Sequence, residues 1–360
     1  MTDKKKVLIL ADINSIHTQK WVKSLMCDFD IFLCSIDPIQ NISTMIEDLL
    51  SKVQFYSSEK RLSNTSNKLL FLKFYLQLIR IKTAFKPNII HSHYATSYGL
   101  LGRLLFFKRF YISVWGSDIF EFPLKSTLHK IIIKFILKGA SKLFSTSSIM
   151  ASEIKKYTNQ DVTVIPFGID TKKFKPFSIE SQKTSFTIGT IKSLEELYGI
   201  DRLIEVFEHV FQQIPDATCV IYGSGTKEKD LKQLIKNKKL DNHIFLKGKV
   251  ANDNVPEILS SFDLFCAFSR SESFGVAVIE ASSCSVPVLT TNVGGLPEVV
   301  KEGETGYLFD YDPIDISKKI VSLYNNPSLR NQLGVNGRKF VLENYDWQKS
   351  VDMMKKYYIC

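Results

Sequence analysis

Short apolar runs of strand length alternate with amphipathic stretches of helix length along almost all 360 residues, and this alternation restricts the fold more than any other feature. Strands are expected at 7–10, 30–35, 89–93, 110–115, 143–145 and 162–165. Helices are expected at 18–26, 68–85, 96–107, 126–138 and 150–157. Such a succession calls for a parallel sheet with helices on both faces. It breaks at IPFGIDTKKFKPFSIES (165–181), where two prolines, a glycine and mixed polar residues mark a linker. It then resumes with strands at 186–189, 217–222, 243–246, 264–267 and 288–291, and helices at 200–212, 227–237, 255–259, 276–283, 315–325 and 329–344. An amphipathic helix at 347–358 ends the chain. The reading is α/β with two Rossmann-like domains, 1–170 and 171–345, followed by a terminal helix, 346–360. There is no internal repeat and no low-complexity segment.

A chain of this length can build two proper cores. The 44% hydrophobic and 23% charged content is that of a soluble globular protein. The net charge of +10 is unevenly shared: residues 1–180 hold 26 Lys+Arg against 14 Asp+Glu, and residues 181–360 hold 21 against 23. A basic first half points to an anionic partner. Cys27, Cys34, Cys219, Cys266, Cys284 and Cys360 show no Cys-x-x-Cys spacing, so neither a zinc ribbon nor a redox pair is indicated, and a reducing compartment is expected. The opening MTDKKKVLILADI reads as a first buried strand rather than a signal peptide, because the apolar run is short and Asp12 interrupts it. No stretch reaches the roughly 20 apolar residues that span a bilayer.

The segment SRSESFGVAVIE (269–280) concentrates the chemistry. Glu272 and Glu280 stand eight residues apart around Phe274-Gly275, and an apolar helix-like run starts at Val276. Gly275 at a helix start exposes backbone N–H groups that suit a phosphate. Glu280 lies in an apolar run, where a carboxylate requires partners; sugar or ribose hydroxyls would satisfy it. Read alone, such a glutamate more often points to water or meets a neighbouring Lys or Arg. The next stretch of chain, ASSCSVPVLTTNVGGLPEVVKEGETGYLF (281–309), supplies a short buried strand, a bare Gly294-Gly295 loop and a helix opened by Leu296-Pro297-Glu298.

From Ser269 to Phe309 the sequence resembles, without a gap, the donor-binding half of the retaining glycosyltransferases of family 4 (glycosyl transferases group 1). Their hallmark Glu-x7-Glu is matched by Glu272 and Glu280. Ser285 departs from the Gly usual before the Pro-Val strand. The resemblance implies the GT-B fold: two Rossmann-like domains with parallel sheets facing across a deep cleft, and a C-terminal helix crossing back to the first domain. It implies transfer of a sugar from a nucleotide-diphosphate donor, with UDP-sugar expected, retention of configuration, and no metal or other cofactor. Glu280 would hold ribose hydroxyls and Glu272 the donor sugar. Phe274, Gly275 and Val276 would contribute backbone contacts. Tyr222-Gly223-Ser224-Gly225 matches the family's Gly-rich turn, although glycine suits any strand-to-helix turn.

The diphosphate needs positive charge placed beforehand. In IGTIKSLEELYGIDRL (188–203) the family's Arg position is Thr190 and its Lys position is Tyr198. Lys192 is the first candidate for the cationic role and Arg270 the second; an exposed surface lysine is the alternative reading of Lys192.

In the first half, His17 follows strand one, where α/β folds place ligands; the family's Gly-Gly loop is missing there. His91 and His93 share one face of a strand and have no third metal ligand in view. In SVWGSDIFEF (113–122), Trp115-Gly116 stands where many relatives have His-Gly. His17, His93, Trp115, Gly116 and Asp118 are candidate acceptor or cleft residues. Two Asp-x-Asp matches, Asp28/Asp30 and Asp310/Asp312, read as turn chemistry.

The segments 68–86, 102–112 and 129–142 mix Phe, Leu and Ile with Lys and Arg. Core helices with lysines outward explain most of the apolar residues; the basic surplus fits an anionic membrane surface and a lipid-linked glycan acceptor. The resemblance and the charge together suggest polysaccharide synthesis at the cytoplasmic face of the cell membrane. A non-catalytic nucleotide-sugar-binding protein is one alternative. A nucleic-acid binder is another, for which no zinc finger, basic arm or RNA-binding signature is present.

Overall fold

The computed structural model describes residues 4–40, 42–62, 68–177 and 185–359. The chain divides into two compact units, Met1–Pro166 with Val351–Cys360, and Phe167–Ser350. The part of the linker segment beyond 177, and Cys360, lie outside the described residues.

Unit one is built on seven parallel strands: β1 (Lys6–Leu10), β2 (Asp30–Ser35), β3 (Gln54–Ser57), β4 (Ile89–His93), β5 (Phe110–Ser113), β6 (Lys142–Ser145) and β7 (Val162–Val164). Their spatial order is β3-β2-β1-β4-β5-β6-β7. The central strands are buried on both faces because helices cover both; β4 and β5 are buried at every position. The helices Lys68–Phe85, Ser97–Leu104 and Thr127–Lys138 pack beside one another on this sheet. Tyr75 donates to the carbonyl of Leu104 at 2.7 Å and Lys82 to that of Leu105 at 3.1 Å. The terminal helix Trp347–Ile359 docks on this sheet from Val351 onward. Tyr358 is fully buried, its ring edge-on to Phe29 at 5.2 Å, and Lys355 pairs with Asp28 at 2.6 Å.

Unit two carries six parallel strands: β8 (Thr187–Ile191), β9 (Thr218–Tyr222), β10 (Ile244–Gly248), β11 (Leu264–Ala267), β12 (Val288–Thr291) and β13 (Gly306–Phe309). Their order is β10-β9-β8-β11-β12-β13. The helix Ile200–Phe211 buries Leu203, Ile204, Phe207 and Val210 on one stripe.

The α/β reading holds in both units. The sequence missed the helix Thr44–Leu50 and the edge strand β3, whose residues are half-exposed or exposed and lack an apolar run. The helix expected at 96–107 ends at Leu104, and Phe106 sits at a φ of 48° that no helix continues. The strand expected at 110–115 ends at Ser113.

Candidate functional site

In an open parallel sheet, ligands bind beyond the carboxyl ends of the strands where the strand order reverses. In unit two the chain steps outward from β8 through β9 to β10, then restarts beside β8 at β11. The reversal point therefore lies between β8 and β11. Lys192 follows β8 directly and Glu272 stands five residues after β11. Their side chains meet: the Lys192 ammonium donates to a Glu272 carboxylate oxygen, and each side chain is only about a tenth exposed (10% and 11%). The same ammonium lies 4.8 Å from the ring centroid of Tyr198, so the cation is held by one charge and one π face. Lys192 is thus no free surface lysine. It brings positive charge against the ring of the tyrosine that occupies the expected lysine position.

Two glycines make this meeting possible. Gly223 (φ 145°) turns after β9 with its backbone on Lys192; a Cβ there would lie 1.8 Å from the Lys192 carbonyl oxygen. Gly294 (φ 54°) does the same at Glu272, where a Cβ would lie 1.8 Å from the carbonyl oxygen, and the Gly295 N–H donates to that oxygen at 2.8 Å. Only residues without a Cβ permit either approach.

Gly275 is the N-cap of the helix Val276–Ser283, and Val276 is its half-buried first residue. Phe274 is buried, edge-on to Tyr345 at 5.6 Å and Phe167 at 6.2 Å, so its ring is not open to a ligand. Glu280 lies one turn into the helix and is half-buried. Burial first, and Glu280 second, push the Cys284 thiol up to about 12. Gly225 completes the turn after β9, with its backbone against Leu194. The Thr190 and Ser269 hydroxyls, at the ends of β8 and β11, are buried without a hydrogen-bond partner among the described residues.

Arg270 is not brought to Lys192 and Glu272. Its guanidinium forks onto Asp201, with Nη1–Oδ1 at 2.8 Å and Nη2–Oδ2 at 2.5 Å, and donates to the Glu196 carbonyl at 2.8 Å. This bond holds the Asp201 carboxyl below its usual range. The reason is geometric, since a bidentate carboxylate already satisfies the planar fork. Asp201 gave no sequence signal, being one helix acid among many.

In unit one the reversal point lies between β1 and β4. His17, on the helix Ile16–Leu25 that follows β1, stands edge-on to Trp115 at 6.0 Å; His93, the last residue of β4, lies 4.9 Å from the same ring. The structure thus gathers two of the predicted residues around the indole of a third. Burial, and secondarily Lys20, hold the His17 imidazole down at about 4; burial alone holds His93 at about 3. Both are neutral at physiological pH. His93 Nδ1 is buried with no partner among the described residues. His91 is the satisfied member of the pair: Nδ1 shares a hydrogen bond with Tyr358 Oη at 2.6 Å and Nε2 with Ser113 Oγ at 2.9 Å. No local pattern could have found Tyr358, which is 267 residues away.

Asp118 requires a correction. It is fully buried, and its carboxylate accepts from the N–H groups of Ala95 at 2.7 Å, Gly116 at 2.8 Å and Trp115 at 3.2 Å. It clamps the two loops that carry the cluster rather than offering itself to a ligand. Burial raises it to about 6 against the pull of those N–H groups. Gly116 (φ 151°) is the bend beneath Trp115. Of the Asp-x-Asp matches, Asp312 caps the helix Pro313–Tyr324 and Asp28 pairs with Lys355.

The fold is GT-B: solved GT-B glycosyltransferases superpose on nearly the whole chain. The HepE protein of Anabaena, solved with UDP and glucose, is one of them, with a TM-score of 0.78 at 18% identity over 98% of both chains. The family described as "Glycosyl transferases group 1" matches residues 171–340, and "Glycosyl transferase 4-like" matches residues 6–147. The chain belongs to this family of glycosyltransferases. Among its relatives, N-acetyl-alpha-D-glucosaminyl L-malate synthase of Bacillus anthracis is 26% identical over 289 residues, covering 75% of this chain and 74% of its own. The phosphatidylinositol N-acetylglucosaminyltransferase gpi3 subunit of Schizosaccharomyces pombe is 29% identical over 199 residues, covering 55% of this chain and 43% of its own.

Proposed function

We propose that this glycosyltransferase moves a sugar from a UDP-sugar to a hydroxyl of a lipid-linked glycan, with retention and without a metal, at the inner face of the cell membrane. The observation that carries this reading is the Lys192–Glu272 pair at the strand-order reversal of unit two. A nearly buried ammonium there is positive charge placed in advance of the donor diphosphate. Before donor arrives, Glu272 neutralises it; the diphosphate competes for the ammonium and leaves Glu272 able to accept from the sugar hydroxyls. Glu280 takes the ribose hydroxyls, and the backbone at Phe274, Gly275 and Val276, with Gly223 and Gly225, lies along the nucleotide. Unit one receives the acceptor at His17, His93, Trp115 and Gly116, where two neutral imidazoles can exchange hydrogen bonds with hydroxyls. No covalent intermediate is needed, since a front-side route lets the leaving phosphate take the acceptor proton.

UDP is favoured as carrier because the HepE structure holds UDP and glucose. A lipid-linked acceptor is favoured by the basic first half and by the relative named for phosphatidylinositol. A thermal-shift screen against nucleotide sugars tests the reading. UDP-sugars should stabilise the protein, and Glu280→Ala and Lys192→Ala should lose that shift. Equal shifts in the variants would remove the donor site from these residues. A second reading, binding without transfer, draws on Thr190 and Tyr198 at the family's cationic positions. Donor hydrolysis or transfer by the purified protein decides between the two.

A further inference from the structure

Unit one contains an apolar groove that the transfer chemistry does not use. Its volume is about 640 Å³, within the range of ligand pockets. The helix Lys68–Phe85 lines it with Phe71, Leu72 and Tyr75, the helix Ser97–Leu104 with Leu100 and Leu104, and the helix Thr127–Lys138 with Ile132. The rim is unusual for a water-facing surface. Leu72 is 52% exposed, Leu76 51%, Leu128 62% and Ile131 59%. The same two helices carry exposed Lys73, Arg80, Lys130, Lys134 and Lys138. The three helices hold eight lysines and arginines and not one Asp or Glu. A protein partner would have to meet both a flat positive field and protruding leucines; an anionic bilayer supplies phosphates for the first and hydrocarbon for the second. No helix among the described residues is long and apolar enough to cross a membrane, so the contact would be interfacial. Thr96 and Ser97, which also line the groove, stand three and four residues beyond His93 in the chain.

We infer that this face seats on an anionic bilayer and that the groove takes up one hydrocarbon chain of a lipid of that bilayer. The inference deepens the membrane reading above and rests on it. It makes the groove a tail site beside the histidine–tryptophan cluster, so that a lipid enters tail-first with its head toward the strand ends.

The test uses the full chain with phosphatidylcholine vesicles, with and without phosphatidylglycerol carrying a diazirine in its acyl chain. The protein should float with the anionic vesicles and several-fold less with phosphatidylcholine alone. Irradiation should label peptides from the three groove helices. Lys130→Glu with Lys134→Glu should abolish flotation. Leu104→Trp, which fills the groove, should keep flotation but cut groove labelling several-fold. Leu72→Gln with Ile131→Gln, both at exposed positions, covers the case in which the tryptophan variant misfolds, and should lower labelling too. Flotation with label outside the groove, or label unchanged in these variants, overturns the tail site. No flotation at all overturns the bilayer contact and leaves a protein partner as the occupant of this face. A UDP-sugar thermal shift retained in Leu104→Trp separates these failures from a failure of the donor reading, in which that shift is absent from the wild type while the groove is still labelled.

Discussion

The two units solve the same geometric problem with opposite chemistry. Each is a parallel sheet whose strand order reverses once, and each brings some of its candidate residues together near that reversal. Unit two places a nearly buried ion pair there, Lys192 with Glu272. Unit one places two imidazoles held neutral by burial around one indole. The architecture fixes where a ligand can lie, and the side chains decide what it can be. A charged pair that can re-partner suits a diphosphate, whereas neutral imidazoles suit hydroxyls.

The contrast breaks most sharply at the ion pair. Lys192→Ala should leave Glu272 buried and unpaired and lower unfolding stability by about 3–5 kcal/mol in urea denaturation. Lys192→Met with Glu272→Leu should recover most of that loss while UDP-sugar stabilisation stays absent. Full recovery of both would mean that the pair serves folding alone. Next in size is Gly294→Ala, whose methyl group would collide with the Glu272 carbonyl at a φ of 54°. It should cost more than ~1 kcal/mol and weaken donor binding in calorimetry; an unchanged stability would show that the loop yields.

Acid should separate the units. The unfolded chain binds protons at His17 and His93 near pH 6.5, whereas the folded chain refuses them down to about 4 and about 3. The unfolded state therefore holds more protons within that window, and stability falls as pH drops through it, by roughly 1.4 kcal/mol per pH unit for each group. Asp118 works in the other direction: its folded value near 6 exceeds the usual 3.8, so its contribution weakens as pH rises between those values. Two histidines outweigh one aspartate, so amide protection factors at β1, β4 and β5, which correct for the slowing of intrinsic exchange in acid, should fall on going from pH 6.5 to 5. Protection factors unchanged over that range would show the imidazoles to be solvated. The smallest effect is expected from Tyr358→Phe, which removes one hydrogen bond from buried His91 and should lower stability by about 1–2 kcal/mol in the same denaturation assay.

The alternation was legible because parallel strands covered on both faces are mostly apolar, as in VLIL (7–10) of β1 and LFCA of β11. The element at 54–57 was not, because an edge strand covered on one side needs no apolar run. Glu272 and Lys192 were legible one at a time, the first from the Glu-x7-Glu of the family the segment resembles and the second as the cation nearest the family's Arg position, which Thr190 fills. Their pairing was not, and neither was the capture of Arg270 by Asp201, 69 residues away.

Local periodicity was enough to settle the fold class, because burial leaves its mark within a few neighbouring residues; the segment proposed to hold the donor was marked by its resemblance to a family and not by periodicity. Strand order decided the rest. It set Lys192 beside Glu272 across 80 residues, turned Asp118 inward as a loop clamp, and opened an apolar groove among three basic helices. A side chain's partners are chosen by which strand ends the sheet brings side by side, and no window along the chain contains that information.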